Sequence, residues 1–189
     1  MQNLLPFLKE DLGLAESLAA KVADYFIEEQ LSKDAFLVKE GQYLTRMCLV
    51  KEGYLRFFSY SEKKVITHWI FGKGKLVTDV ASFFFQEPAK WNIQALTDTT
   101  VYTLTCENYQ GLTKDVPEWN QFEKSFLIKL MSALENRVYA LLSMSAEERY
   151  QYLYQSDRNM FNELPLQYLA SMLGMTPETL SRIRAKANS

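Results

Sequence analysis

One histidine and two cysteines in 189 residues leave little material for metal or redox chemistry. Metal-dependent catalysis usually takes two or three imidazoles together with carboxylates, and His68 stands alone in the apolar stretch Val65-Ile66-Thr67-His68-Trp69-Ile70. Cys48 and Cys106 lie far apart without a CxxC pair, which argues against a secreted disulfide scaffold and for a reducing interior. No GxSxG, HExxH or Walker-type glycine loop occurs, and no nucleophile stands with a base partner, so neither catalysis nor a bound cofactor is expected. The opening Met-Gln-Asn-Leu-Leu-Pro has neither a basic leader nor a long apolar run, and no segment approaches membrane-spanning length. A cytoplasmic protein without signal peptide or membrane contact is expected. Positive charge is also scarce, with a formal net charge of -2. A protein that coats DNA by phosphate neutralisation should be basic, whereas one that reads a short site needs only a local basic patch.

What is present suits a globular chain with a real core: 48% apolar and 23% charged residues. The aromatic share of 14%, mostly Phe and Tyr, favours a β-rich portion, because rings pack well on pleated surfaces. Leu14 to Glu29 reads as an amphipathic helix, with Leu14, Leu18, Val22 and Phe26 at four-residue spacing. From Ala35 to Thr105, short runs rich in Val, Ile, Phe, Tyr and Thr alternate with turns at Gly41, Gly53, Ser61-Glu62-Lys63-Lys64 and Gly72-Lys73-Gly74. That rhythm predicts a compact antiparallel sandwich or roll. After Pro117, apolar residues from Phe122 to Leu142 recur every three or four positions and predict one long helix. A small roll cannot easily cover so long a stripe, so a second copy of the chain is expected against a seam of Phe126, Leu130, Leu134 and Leu141. Ser145-Ala146-Glu147-Glu148 has the form of a capping box and marks a new helix and a domain boundary. The chain thus divides into 1–116, 117–144 and 145–189.

The segment 164–184 carries the sharpest signal. Pro165 suits the opening of a helix whose inner face is Leu166, Leu169, Ala170 and Leu173, and Gly174 can end it in a positive-φ turn. Thr176 caps the next helix, Pro177 takes its first position, and Leu180 and Ile183 point inward. Two short helices joined by a glycine turn form a helix-turn-helix, and the small Ala170 lets the second pack closely on the first. Glu178, Ser181, Arg182 and, further round, Arg184 then lie on the outer face of the second helix. Arg matches the paired acceptors of guanine, and Glu accepts from the cytosine amino group. The bland alternative is a Glu178–Arg182 ion pair on a solvated face. The cap, turn and spacing together favour DNA reading.

The order of a roll, a long apolar helix and a C-terminal helix-turn-helix resembles the CRP/FNR family of bacterial regulators over nearly the whole chain. Glu178-Thr179-Leu180-Ser181-Arg182 is similar to the E-x-x-S-R recognition motif of the FNR branch, and Phe36 to Phe58, with Gly41 and Val50-Lys51-Glu52-Gly53-Tyr54-Leu55-Arg56, resembles the opening strands of the cyclic-nucleotide-binding fold. The resemblance implies an α+β fold: an N-terminal antiparallel β-roll (a double-stranded β-helix), a long dimerisation helix and a C-terminal helix-turn-helix. It also implies a homodimer on palindromic double-stranded DNA, with Thr176, Glu178, Thr179, Ser181, Arg182 and Arg184 at the DNA and RNA polymerase as partner. Three departures follow. Thr78-Asp79 replaces the Gly-Glu pair that holds the ribose in cAMP binders, and Ala89-Lys90 stands where the phosphate-binding Arg-Ser or Arg-Thr would be. Two cysteines are too few for an FNR-type iron–sulfur cluster. The sequence runs only to Ser189, so the β-hairpin wing that follows the recognition helix in the family is expected to be missing.

A pocket for an effector other than cAMP would fall at Thr78, Asp79, Lys90 and Trp91. Phe83-Phe84-Phe85 could join it, although aromatic residues in such a domain are more often core. Two further readings fit the residues: a sensor module whose helix-turn-helix no longer binds DNA, and a ligand-free regulator whose roll is only a scaffold. Glu178 and Arg182 disfavour the first, since a decayed motif should lose its polar reading face before its fold.

Overall fold

The computed structural model describes residues 4–62 and 64–187; Met1-Gln2-Asn3, Lys63 of the expected turn and Ser189 lie outside them. After a π-helical turn, Phe7–Asp11, the elements are α1 (Glu16–Ala23), β1 (Ile27–Leu31), β2 (Phe36–Val38), β3 (Arg46–Glu52), β4 (Leu55–Ser61), β5 (Lys64–Phe71) and β6 (Leu76–Val77). There follow α2 (Val80–Phe85), β7 (Asn92–Ala95), β8 (Thr99–Thr105), α3 (Cys106–Asp115) and α4 (Glu118–Ser143). Four shorter helices complete the order: α5 (Ala146–Ser156), α6 (Arg158–Glu163), α7 (Leu166–Met172) and α8 (Pro177–Ala187).

The strands form two antiparallel sheets, ordered β1-β8-β3-β6 and β2-β7-β4-β5. Their facing residues, among them Val38, Cys48, Val50, Leu55, Ile93 and Val101, make the core of the roll. Gly53 turns β3 into β4 at φ +86, and a Cβ there would stand 2.6 Å from the Asp98 carbonyl oxygen, so only glycine fits. A second core lies outside the first sheet, where Leu8, Val22, Phe26, Leu104, Leu112 and Trp119 join the N-terminal segment to α3 and the start of α4.

Two expectations need correction. The helix expected over Leu14 to Glu29 is only Glu16–Ala23. Ile27–Leu31 pairs instead with β8, Ile27 opposite Thr103 and Leu31 opposite Thr99, because a free sheet edge outbids the local helical period. The expected strand region also contains a helix: Phe83, Phe84 and Phe85 sit on α2, with Phe83 buried, Phe84 half-buried and Phe85 exposed.

The long helix α4 runs for 26 residues. Its first turns belong to the roll, since Trp119 is buried and Phe122 stacks between it and Phe126. Ser145 then caps α5 in the expected capping box, accepting from the Glu148 amide and donating its own amide to the Glu148 carboxylate. Helices α5 to α8 share a third core, built from Tyr150, Phe161, Leu169, Met172, Leu180 and Ile183. Tyr54, Ile70 and Leu96 of the roll are part of it, so the C-terminal helices pack on the roll. No helix among the described residues is long and apolar enough to cross a membrane.

Candidate nucleic-acid interface and effector cleft

Helices α7 and α8 meet at a turn in which Gly174 takes φ +67 and the Met175 amide donates back to the Ala170 carbonyl at 3.0 Å. Thr176 opens α8: its hydroxyl accepts from the Thr179 amide at 3.3 Å and donates to the Thr179 hydroxyl at 3.2 Å. Leu180 and Ile183 are buried against α7, where Ala170 is fully covered. Thr176, Glu178, Ser181 and Arg182 are exposed along the opposite face, and Thr179 and Arg184 are half-buried. Glu178, Ser181 and Arg182 therefore share the solvent face of α8, with Thr179 and Arg184 at its flanks and Thr176 at its start.

The ion pair of the bland alternative is absent: among the described residues no salt bridge joins Glu178 to Arg182. The Glu178 carboxylate turns instead to the start of α8, where its own backbone N–H and the Thr176 hydroxyl hold it below the usual carboxylate range. Lys186 reaches back to Glu147 of α5 at 3.0 Å.

The second site is a cleft of about 930 Å³ between the roll, α4 and the C-terminal end of α7. Its walls are aromatic and aliphatic, with Phe57, Trp69, Phe84 and Trp91 facing Phe126 and Leu130. The four residues expected to form a pocket, Thr78, Asp79, Lys90 and Trp91, all line it. They do different things. The Thr78 hydroxyl donates to the Arg46 carbonyl. Asp79 is 2% exposed and has both oxygens engaged, one accepting from the Ser82 amide at 3.0 Å as the cap of α2, the other from the Lys90 amide at 3.1 Å. Asp79 thus ties the two segments together by its own carboxylate. The Lys90 side chain is exposed, and the Trp91 ring lies 4.3 Å from His68.

Three polar groups at this cleft carry information that spacing did not reveal. His68 shares a hydrogen bond with the Ser59 hydroxyl, and burial, with Arg137 and Arg56 nearby, lowers its pKa below the usual histidine value. Arg137 stands over Trp69 at 4.5 Å and donates to the Met172 carbonyl at 3.0 Å. Glu123 accepts from the Tyr109 hydroxyl, and burial pushes its carboxyl upward. Arg137 had a signal in the sequence, since it interrupts the apolar stripe of α4 between Leu134 and Leu141. Among the described residues, no three His, Cys, Asp or Glu side chains stand together as metal ligands.

The residues expected on the α4 seam stand at the same cleft. Phe126, Leu130, Leu134 and Leu141 all line the cleft, with Phe126 and Leu130 half-buried toward the roll. A neighbouring row, Leu127, Met131, Leu134, Val138 and Leu142, remains exposed, with Leu134 at 55% and Leu142 at 81%. Leu127, Leu134 and Val138 of this row also line the cleft. A spacing of three and four fits either row, because the rows stand one residue apart on the same helix.

Residues 28–115 match the family model of the cyclic nucleotide-binding domain. Most of the chain superposes on solved regulators. FixK2 from Bradyrhizobium japonicum matches with a TM-score of 0.69 at 18% identity, over 86% of this chain and 84% of that one. The c-di-GMP-responsive global regulator CLP of Xanthomonas campestris gives 0.66 at 13% identity, over 92% of each chain. The Thermus thermophilus catabolite activator protein gives 0.58 at 20% identity, over 96% of this chain and 85% of that one. The chain has the CRP/FNR regulator fold. Its cyclic nucleotide-binding domain supplies the roll and α2, and the helices after α4 complete the CRP/FNR-like order. No curated protein matches the sequence.

Proposed function

We propose that this CRP/FNR-like chain is a transcription regulator that binds a palindromic DNA site as a homodimer, with α8 as the reading helix. The observation that carries this reading is the exposed row Thr176, Glu178, Ser181 and Arg182 on a helix held from behind by Leu180 and Ile183. Arg182 has no carboxylate partner among the described residues, which leaves its planar fork for a guanine. Glu178, kept ionised at the helix start, is an acceptor for a cytosine amino group. Thr179 and Arg184 flank this row and serve the adjacent backbone. The exposed row of α4 from Leu127 to Leu142 follows a spacing of four, three, four and four, which suits a two-helix seam with a second copy. RNA polymerase is the further partner this reading assigns.

The cleft is read as the effector site, and its chemistry favours an apolar aromatic ligand over a cyclic nucleotide. Asp79 already occupies the start of α2 with a negative charge, and the Lys90 amide is bound to it. A cyclic phosphate brought there would meet a carboxylate rather than an arginine, and like charges in one buried site repel. Ala89, where the resemblance puts the phosphate-binding arginine, is buried and locked by backbone bonds to Gln42 and Gly41.

Selection of bound DNA from a random pool at fixed salt tests the reading. An enriched inverted repeat, bound with two protein chains per duplex, is expected. Recovery of no sequence above the unselected pool, with and without cell extract, would overturn it and favour a sensor module without DNA binding.

A further inference from the structure

The second sheet ends at β5, which pairs on one side only with β4. Its other edge meets α7. The Thr67 amide donates to the Ser171 hydroxyl at 2.9 Å, and that hydroxyl donates on to the Val65 carbonyl at 3.5 Å. One serine thus serves two of the backbone groups that a free edge would leave to solvent. Beside it, the guanidinium of Arg56 is stacked between Phe58 at 4.4 Å and Tyr168 of α7 at 4.3 Å, and Arg56 donates to the Thr67 hydroxyl. At the far end of α7 the last carbonyls are held by arginines: Met172 by Arg137, and Leu173 by Arg149. Such carbonyls lack partners within their own helix, and cations favour that end. Arg137 also covers Trp69 in the cleft wall.

We propose that α7 is latched onto the free edge of β5 and that Arg137 joins this latch to the cleft, so that the cleft wall and the reading helix move as one unit. This rests on the reading of α8 as a DNA-binding helix. The latch leaves Glu178, Ser181 and Arg182 exposed, so it does not block DNA; it fixes the direction in which α8 is presented. A dimer on a two-fold site gains affinity when both reading helices are already oriented. A cleft ligand that draws Arg137 away from Trp69 also removes the donor from Met172, and thereby loosens α7.

Amide hydrogen exchange on the full chain tests the latch, with operator binding measured separately. Ser171→Ala removes the acceptor of the Thr67 amide, whose exchange is expected to rise about tenfold while Leu49 and Val101, in β3 and β8, keep their rates. Arg137→Met reproduces the displacement without a ligand. It touches neither Thr67 nor Ser171, yet Thr67 exchange is expected to rise here too. Both variants should bind the selected operator about tenfold more weakly with dimerisation intact. Unchanged Thr67 exchange in Arg137→Met breaks the link between cleft and latch and overturns the proposal. So does full operator affinity in a variant whose latch has opened. If the parent chain binds no DNA, the regulator reading fails, and exchange in the two variants decides the latch by itself.

Discussion

At the scale of single residues, the side chains quoted from the sequence fall into readers and builders. Arg182 is the proposed reader: it is exposed, has no salt-bridge partner among the described residues, and lies on the outer face of α8. Arg182→Ala should abolish site-specific binding while leaving the circular dichroism spectrum and dimer mass unchanged, because a good bidentate contact gives about 1–3 kcal/mol of discrimination per half-site. Equal affinity of variant and parent for the selected site would remove Arg182 from the interface. Asp79 is a builder, buried as the cap of α2 and the tie to Lys90. Asp79→Ala should lower unfolding stability by about 1–3 kcal/mol, the usual cost of losing bonds to an ion, measured by urea denaturation. His68 gives a pH dependence. Its folded pKa is depressed by burial and by the nearby Arg137 and Arg56, so the unfolded chain takes up the proton first. Stability therefore falls as pH drops through the ordinary histidine value of about 6.5. His68→Gln should flatten that part of the urea-midpoint profile between pH 7.5 and 5.5, and a variant profile parallel to the parent's would refute the assignment.

At the scale of elements, α4 carries apolar residues toward the cleft and toward solvent, which one apolar stripe cannot express. A helix with apolar residues on most of its circumference has to be covered on more than one side. Its cleft face holds Phe126, Leu130 and Leu141, while Met131, Val138 and Leu142 are mostly exposed in the single chain. Met131→Glu with Val138→Glu would place unpaired charges in the proposed dimer seam, and sedimentation should then report a monomer that keeps its fold. Leu130→Ala instead should loosen the roll contact without dissociating the dimer. A Met131→Glu, Val138→Glu protein that stays dimeric would move the interface elsewhere.

At the scale of the whole molecule, the roll matches the domain type of cyclic nucleotide binders, and the Asp79 carboxylate holds both the start of α2 and the Lys90 amide. Calorimetric titration should find no binding of cAMP or cGMP at micromolar concentration. Two altered polar contacts, each worth roughly 1.5–3 kcal/mol to an ion, amount to two or more factors of ten in affinity. Micromolar binding that disappears in Lys90→Ala would show that a flexible ammonium has taken the place of the arginine fork.

Local rules were enough wherever a residue's conformation is decided within a few positions of itself. Ser145 with Glu148, Gly174, and Thr176 with Pro177 could be read directly as the starts and ends of helices, because caps and positive-φ turns are short-range. The alternation of apolar runs and turns likewise announced a roll. Tertiary structure alone decided the rest. Ile27–Leu31 became a strand because β8 offered an edge to pair with, and a partner some seventy residues away leaves no local trace. Asp79 became a cap and tie because folding brought the Lys90 amide to its second oxygen. Ser171 met Thr67 across 104 positions of sequence. Periodicity says that a helix has an apolar face; only the assembled fold says which neighbour covers it.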